Sequence, residues 1–292
     1  MLEHLTELRR PRRVVVIGAA GFVGGAVAER LERDSVPVLR LTRAEVDLAA
    51  ADGETKLAAF LRAGDALVAA AARAPCKNAD QLLENLAMAR TIAAALGRAR
   101  DIVHVVNISS DAVYADSPHP LTEESCASPN TLHGVMHLAR EVVLNTSVKA
   151  PLAHLRPSLL YGARDPHDGY GPNRFRRLAA AGEPIVLFGE GEERRDHVFI
   201  DDLAELVAQV IYRRSTGTLN VASGEVHSFR AIAEKVVALS GNKAVTVKGS
   251  PRSGPMPHGG YRPFDISACK RAFADFRYTS LPEGLKKAQG GG

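Results

Sequence analysis

The sequence predicts an α/β protein with a doubly wound, mostly parallel sheet. Three observations lead there. Short β-branched and aliphatic runs alternate with helix-period stretches from residue 14 onward. A glycine-rich turn joins the first run to the first helix. No repeat or low-complexity segment interrupts the alternation. In order, Val14–Ile17 reads as a buried strand and Phe22–Glu32 as a helix, followed by a strand over Val36–Leu41 and a helical piece over Lys56–Arg62. A strand over Ala66–Ala70, a long helix over Asp80–Leu96 and a strand over Ile102–Ile108 come next. A helix over Leu132–Leu144 and a strand over Leu152–Leu155 complete the pattern. Strands this apolar need helices on both faces, which is the signature of a parallel sheet.

After Tyr161 the texture changes. Residues 163–174 and 250–263 mix Gly, Pro, Asp and Arg, as loops do. The expected division is a dinucleotide-binding domain over 1–160 and a smaller substrate-binding lobe over 161–292, some segments of which return to the first sheet. The 292 residues suffice for a sizeable core. A hydrophobic share of 46% and a charged share of 24% fit a soluble globular protein. The net charge of +4 sits largely in Arg9, Arg10, Arg12 and Arg13, read as a solvated, frayed terminus. No basic stripe interleaved with aromatics follows, so no nucleic-acid partner is expected. Cys76, Cys126 and Cys269 lie far apart without a C-x-x-C pair, which argues against disulfides and structural zinc and for a reducing compartment. The apolar stretch Val14–Ala28 is too short and too glycine-broken to span a membrane. The expectation is a cytoplasmic protein with no membrane partner.

The run Gly18-Ala19-Ala20-Gly21-Phe22-Val23-Gly24 has the spacing G-x-x-G-x-x-G between strand and helix. Glycine there permits a tight turn and close approach of a pyrophosphate, and the helix N-terminus offers free N–H groups and positive potential. This predicts a dinucleotide site. The second strand ends Val38-Leu39-Arg40-Leu41-Thr42-Arg43, with arginines and no carboxylate for the adenosine ribose. Arg40 or Arg43 would suit a 2′-phosphate, so NADP is expected, with NAD as the alternative.

Taken together, these landmarks resemble the extended short-chain dehydrogenase/reductases, the NAD-dependent epimerase/dehydratase family of nucleotide-sugar enzymes, over nearly the whole chain. The resemblance implies a Rossmann sheet with a smaller C-terminal lobe, a nicotinamide dinucleotide, a nucleotide-sugar substrate and a homodimer formed by the helices near residues 80–96 and 131–144. It implies that Asp47 and Leu48 meet the adenine and that Ala70 and Ala71 pass the diphosphate and ribose. Asn85 would support the active-site loop. In Ile108-Ser109-Ser110-Asp111-Ala112-Val113-Tyr114, Ser110 matches the catalytic Ser/Thr. Pro157 and Tyr161 would flank the nicotinamide and substrate, and Arg195 would grip the nucleotide diphosphate.

One departure matters. The family carries Y-x-x-x-K on the helix after the catalytic serine, whereas here the tyrosine position holds His133 and the lysine position His137, with Gly134 in its usual place. Four residues apart, the two histidines share a helix face, flanking an expected core stripe of Leu132, Val135, Met136, Ala139 and Val143. Four readings stand open. His133 is the acid/base and His137 the ribose contact; or the site has lost its chemistry and the chain is a dinucleotide-binding regulator or scaffold; or Asp111 or Tyr114 does the chemistry; or the pair ligates a metal, for which no third ligand is evident. The Asp-Glu pair of the 4,6-dehydratases is incomplete, being Asp111-Ala112. That leaves reduction of a 4-keto-sugar nucleotide or epimerisation, with reduction favoured. Within the glycine turn, a bulky residue in place of Gly21 is expected to abolish dinucleotide binding while much of the fold survives.

Overall fold

A computed structural model describes residues 2–290. The first half alternates β1 (Arg13–Ile17), α1 (Phe22–Arg33), β2 (Val38–Leu41), α2 (Gly53–Phe60), β3 (Asp65–Ala69), α3 (Ala79–Arg98), β4 (His104–Ile108), α4 (Leu132–Ser147) and β5 (Leu152–Pro157). The second half adds β6 (Leu159–Tyr161), α5 (Pro172–Ala181), β7 (Ile185–Phe188), β8 (Arg194–Phe199), α6 (Ile200–Tyr212), β9 (Gly217–Val221) and β10 (Val226–Ser228). It ends with α7 (Phe229–Ser240), β11 (Val247–Ser250), β12 (Tyr261–Arg262), α8 (Ser267–Ala272) and α9 (Leu281–Gly290).

Six parallel strands form the main sheet in the order β2-β1-β3-β4-β5-β9. Side-chain alternation builds its two cores. Val14 and Val16 of β1 and Ala66 and Val68 of β3 join one cluster with α1 and α6. Val15, Ile17, Leu67 and Ala69 join the other, with Leu57 of α2 and Ile92 and Leu96 of α3. A period of two puts successive residues on opposite faces, so a strand buried on both faces must be apolar throughout. From β1 the chain steps outward to β2, then crosses back to β3 on the other side. The switch point thus lies between the carboxyl ends of β1 and β3, where a doubly wound sheet opens a crevice.

The second half supplies β9 to that sheet and builds smaller ones beside it. β8 pairs with β10 antiparallel and with β6 and β12 in parallel, while β7 and β11 form a two-stranded pair. Tyr170, Phe175, Phe188 and Phe229 pack together beside them.

Three sequence expectations shift. The strand expected from Val36 pairs only from Val38, because Pro37 has no N–H to give the ladder. The helical piece expected over Lys56–Arg62 starts earlier and ends at Phe60, where Leu61 turns extended. The arginine-rich terminus is not frayed. Glu3 exchanges two backbone hydrogen bonds with Thr216, at 2.9 and 2.8 Å, and Arg13 donates to Asp65 at 2.9 and 2.6 Å. Among the described residues no helix is long and apolar enough to cross a membrane.

Candidate active site

The glycine turn sits at the switch point. Gly18 has a φ of +85°, which L side chains avoid, and a Cβ there would come within 2.7 Å of the Ala71 amide nitrogen. A Cβ on Gly24 would lie 2.2 Å from the Gly18 carbonyl oxygen, so α1 packs directly on the turn. Gly21 caps α1 without a side-chain partner, and no acid occupies the first turn, which leaves N–H groups and positive potential facing outward. Beside them lies a cleft of about 560 Å³. Of the residues expected to hold a cofactor, Gly18, Gly21, Arg43, Asp47, Leu48, Ala70 and Ala71 line it.

Others stand behind the cleft wall. Phe22 and Val23 pack against the main core, and Gly24 is buried. Asn85 is 3% exposed and braces the wall, accepting from the Arg73 amide at 2.9 Å and donating to the Arg73 carbonyl at 3.1 Å. Pro157 is buried at the end of β5. Arg40 departs from expectation. Its guanidinium donates to both oxygens of Glu32, at 2.8 and 2.6 Å, and it does not line the cleft. A glutamate eight residues earlier, on the last turn of α1, captures it. Arg43 does line the cleft, exposed, with Asp47 at 3.0 Å.

The segment expected to be catalytic follows β4. Ser110 caps a short 3-10 turn over Asp111–Val113, its Oγ accepting from the Ala112 amide at 3.1 Å. Thr131 caps α4, accepting from the Gly134 amide at 3.2 Å. A Cβ on Gly134 would fall 2.1 Å from the Ala112 carbonyl oxygen, so only glycine lets α4 press onto that turn. The contact sets His133 close enough to Asp111 for the carboxylate to favour its charged form. Burial is the larger effect and holds the His133 pKa below its ordinary value. In the neutral ring His133 Nδ1 accepts from the Cys76 amide at 3.5 Å, with the ring proton then on Nε2. The His137 ring packs edge-on against it, centroids 4.7 Å apart. His137 is 6% exposed, and burial, with His133 and Arg140 adding, holds it well below the ordinary pKa.

The expected core stripe of α4 is displaced. Leu132 and Val135 are each 38% exposed, whereas Met136, His137, Arg140, Glu141 and Leu144 form the buried face. Polar side chains face inward because partners await them. Glu141 accepts from Ser109 and from Arg156 at 2.9 and 2.6 Å, and Arg156 donates to the Tyr114 hydroxyl at 2.9 Å. Tyr114 donates in turn to Asn220 at 2.6 Å. Burial alone would raise the Glu141 pKa, yet Arg156 and Ser109 hold it below the usual range. This network joins β4, α4, β5 and β9 under Ser110 and His133. A carboxylate two helical turns beyond His133 was the sequence signal for it. With Tyr114 used in this way, it is a structural hydroxyl.

Asp111 is likewise engaged. Arg262, 2% exposed, donates to Asp111 Oδ2 at 2.8 Å and to its carbonyl at 2.7 Å, tying β12 to the turn after Ser110. No local sequence pattern signalled this pair, which spans 151 positions. Arg195 lies close by, its charge felt by Asp116 and His258, with Glu193 at 3.3 Å. Tyr161 does not reach the site. It is 1% exposed in the main core, with its hydroxyl against Gly284 and without a partner. Among the described residues no three His, Cys, Asp or Glu side chains gather as a metal-ligand set.

The profile of the NAD dependent epimerase/dehydratase family matches residues 14–222. The chain is similar to a UDP-glucose 4-epimerase of Mycolicibacterium smegmatis, 29% identical over 226 residues that cover 66% of this chain and 71% of the relative. It is also similar to a dTDP-4-dehydro-6-deoxy-D-allose reductase of Streptomyces bikiniensis, 27% identical with 79% and 82% covered. Its fold matches that of a Thermus thermophilus UDP-glucose 4-epimerase solved with NAD, with a TM-score of 0.82 at 23% identity over 95% of this chain and 98% of that one.

Proposed function

Because the chain belongs to the NAD dependent epimerase/dehydratase family, we propose that it is a nicotinamide-dinucleotide-dependent enzyme that reduces a keto-sugar nucleotide, with His133 in place of the usual tyrosine. The observation that carries this reading is the contact of α4 with the Ala112 turn, which sets His133 beside the Ser110–Asp111 segment near the glycine-turn cleft. The cleft fits a dinucleotide: the glycines let the turn pack directly on α1 and on the Ala70–Ala71 backbone at the cleft wall, and free N–H groups stand at the end of α1. Gly18 and Gly21 would hold the diphosphate, Asp47 and Leu48 the adenine, and Ala70 and Ala71 the wall beside the ribose. When bound, the reduced dinucleotide supplies hydride. Ser110 and His133 then meet the substrate oxygen, and Arg195 the anionic nucleotide.

Reduction is favoured over epimerisation because a protonated His133 ring, whose charged form Asp111 favours, can give a proton to the oxygen that hydride addition leaves, whereas an epimerase must first take a proton from an alcohol. The second reading, a dinucleotide-binding protein with little turnover, draws on the same ring: burial makes the imidazolium scarce at neutral pH. Incubating the protein with NADH or NADPH and a panel of UDP-, dTDP- and GDP-linked 4-keto sugars tests both. Dinucleotide consumption supports the reductase. Binding without consumption across the panel supports the second reading.

For the cofactor we propose NADP, through Arg43 alone. Arg43→Ala should weaken NADPH by about tenfold and NADH by much less, since a charge-assisted hydrogen bond to phosphate is worth about 1.5–3 kcal/mol before solvent screening at this exposed site. Calorimetric titration with both dinucleotides measures this; an equal loss for both would remove Arg43 from the 2′-phosphate. We also propose that α3 and α4 pair two copies, because Leu83, Leu132, Val135 and Val142 leave their outer faces apolar. Sedimentation at micromolar concentration should give a dimer, and a monomer there would reject the pairing.

A further inference from the structure

A guanidinium is sealed beneath the cleft without a counter-ion. Arg140 is 3% exposed on the inner face of α4, one turn beyond His137. Its Nη1 donates to the Ala71 carbonyl at 2.6 Å and its Nη2 to the Ala69 carbonyl at 2.7 Å, while Nε has no partner. Among the described residues no carboxylate lies within ion-pair distance of it. The carboxylate next to it on the helix, Glu141, is taken by Arg156 at 2.9 and 2.6 Å. His137 on the same helix and His154 on β5 are both pushed toward the neutral form by burial, His154 to about 4. Burial likewise lowers Arg140, to about 10. A buried charge is costly unless it is paired, and most buried arginines have a carboxylate.

Of the two carbonyls that hold Arg140, that of Ala71 belongs to the wall of the cleft, and that of Ala69 ends β3 just before it. Ala70, Ala71 and Ala72 line it, and the Ala71 amide nitrogen is what a Cβ on Gly18 would strike. The cation therefore stands on the far side of a single strand from the glycine turn, in a medium that screens poorly. We propose that Arg140 is the counter-charge for the dinucleotide's diphosphate. The inference rests on the dinucleotide reading above. It makes the anion of the ligand the missing partner of this ion pair, acting through the strand rather than by contact.

The test measures binding of NADH, ADP and adenosine by calorimetry to the full chain and to Arg140→Gln and Arg140→Lys. Gln keeps a donor for one carbonyl and loses the charge; Lys keeps the charge. Arg140→Gln should weaken NADH and ADP by about tenfold and leave adenosine unchanged. Arg140→Lys should stay within about threefold of wild type at pH 7 and lose affinity for NADH toward pH 9.5, because burial lowers the lysine pKa, whereas the wild type stays flat. The inference is overturned by an Arg140→Gln variant that binds NADH and ADP as tightly as wild type, or by an equal loss for adenosine, which would make Arg140 a wall support only. Should the Gln variant fail to fold, the Lys variant decides: wild-type affinity with a flat profile to pH 9.5 overturns the inference. A wild type that binds neither NADH, NADPH nor ADP overturns the dinucleotide reading itself, and the inference with it.

Discussion

Replacing Gly24 with alanine should lower NADH affinity by about 100-fold or more, whereas the same change at Gly21 should cost less than about tenfold. The reason is where the added methyl would go. At Gly24 it meets only backbone: the Gly18 carbonyl oxygen at 2.2 Å, the Gly18 carbonyl carbon at 2.7 Å and the Ala19 Cα at 3.1 Å. None can rotate away, so α1 must move off the turn. Overpacking of this kind costs about 1–3 kcal/mol in stability. It also withdraws the N–H groups and the helix dipole from the diphosphate, and both effects fall off within a turn. At Gly21 the added methyl approaches only the Gly18 oxygen, at 3.3 Å, and the backbone is extended with a φ of −81°. The sequence alone pointed to Gly21, because spacing does not reveal which glycine touches backbone. Calorimetry with NADH, with circular dichroism as the check on folding, measures the contrast. A Gly24→Ala protein that binds NADH as the wild type does would mean that the ligand is not held at the end of α1.

How legible a residue was depended on how far away its partner lies. The sheet, the glycine turn and the start of α4 at Leu132 could be read because each is local: a strand buried on both faces is apolar, and a helix start needs no distant partner. Arg40 was misread for want of Glu32, only eight residues earlier, because the end of one helix and the edge of the next strand meet only after folding. Tyr161 was misread for want of Gly284, whose bare backbone receives its ring. On α4 hydrophobicity misled outright. Polar residues at 137, 140 and 141 face inward because Glu141 finds Arg156 and Arg140 finds two strand carbonyls, while Leu132 and Val135 face outward. The candidate site followed the same rule. Ser110 and His133 stand at positions of a sequence motif; Arg262 on Asp111, which ties β12 to the turn after Ser110, is marked by none.

Removing the His133 ring should lower turnover on a keto-sugar nucleotide by about 100-fold or more, the usual scale for a general acid, while NADH affinity stays within about threefold. Hydride addition to a carbonyl carbon leaves an alkoxide, which needs a proton. Ser110 can share a hydrogen bond with that oxygen but cannot donate a proton to it readily. The imidazolium of His133 can. Its supply is set by burial, which holds the pKa below the ordinary value of 6.5, with Asp111 partly offsetting it. The sign follows directly. Above that lowered pKa the protonated fraction falls tenfold for each unit of pH, so turnover should decline with slope −1 as pH rises from about 6.5 to 8.5. A tyrosine acid would stay protonated across the whole window. Imidazole is also shorter than phenol, so the substrate oxygen must sit nearer α4 or a water must bridge the gap. His137→Ala should chiefly weaken cofactor binding, since its ring stands at the family's lysine position, proposed to meet the ribose, and carries no charge with which to tune His133. Steady-state rates against pH for the wild type and His133→Ala decide the matter. A wild-type rate that is flat from pH 6.5 to 8.5, or a His133→Ala rate equal to wild type, would assign the proton to a group other than this imidazole.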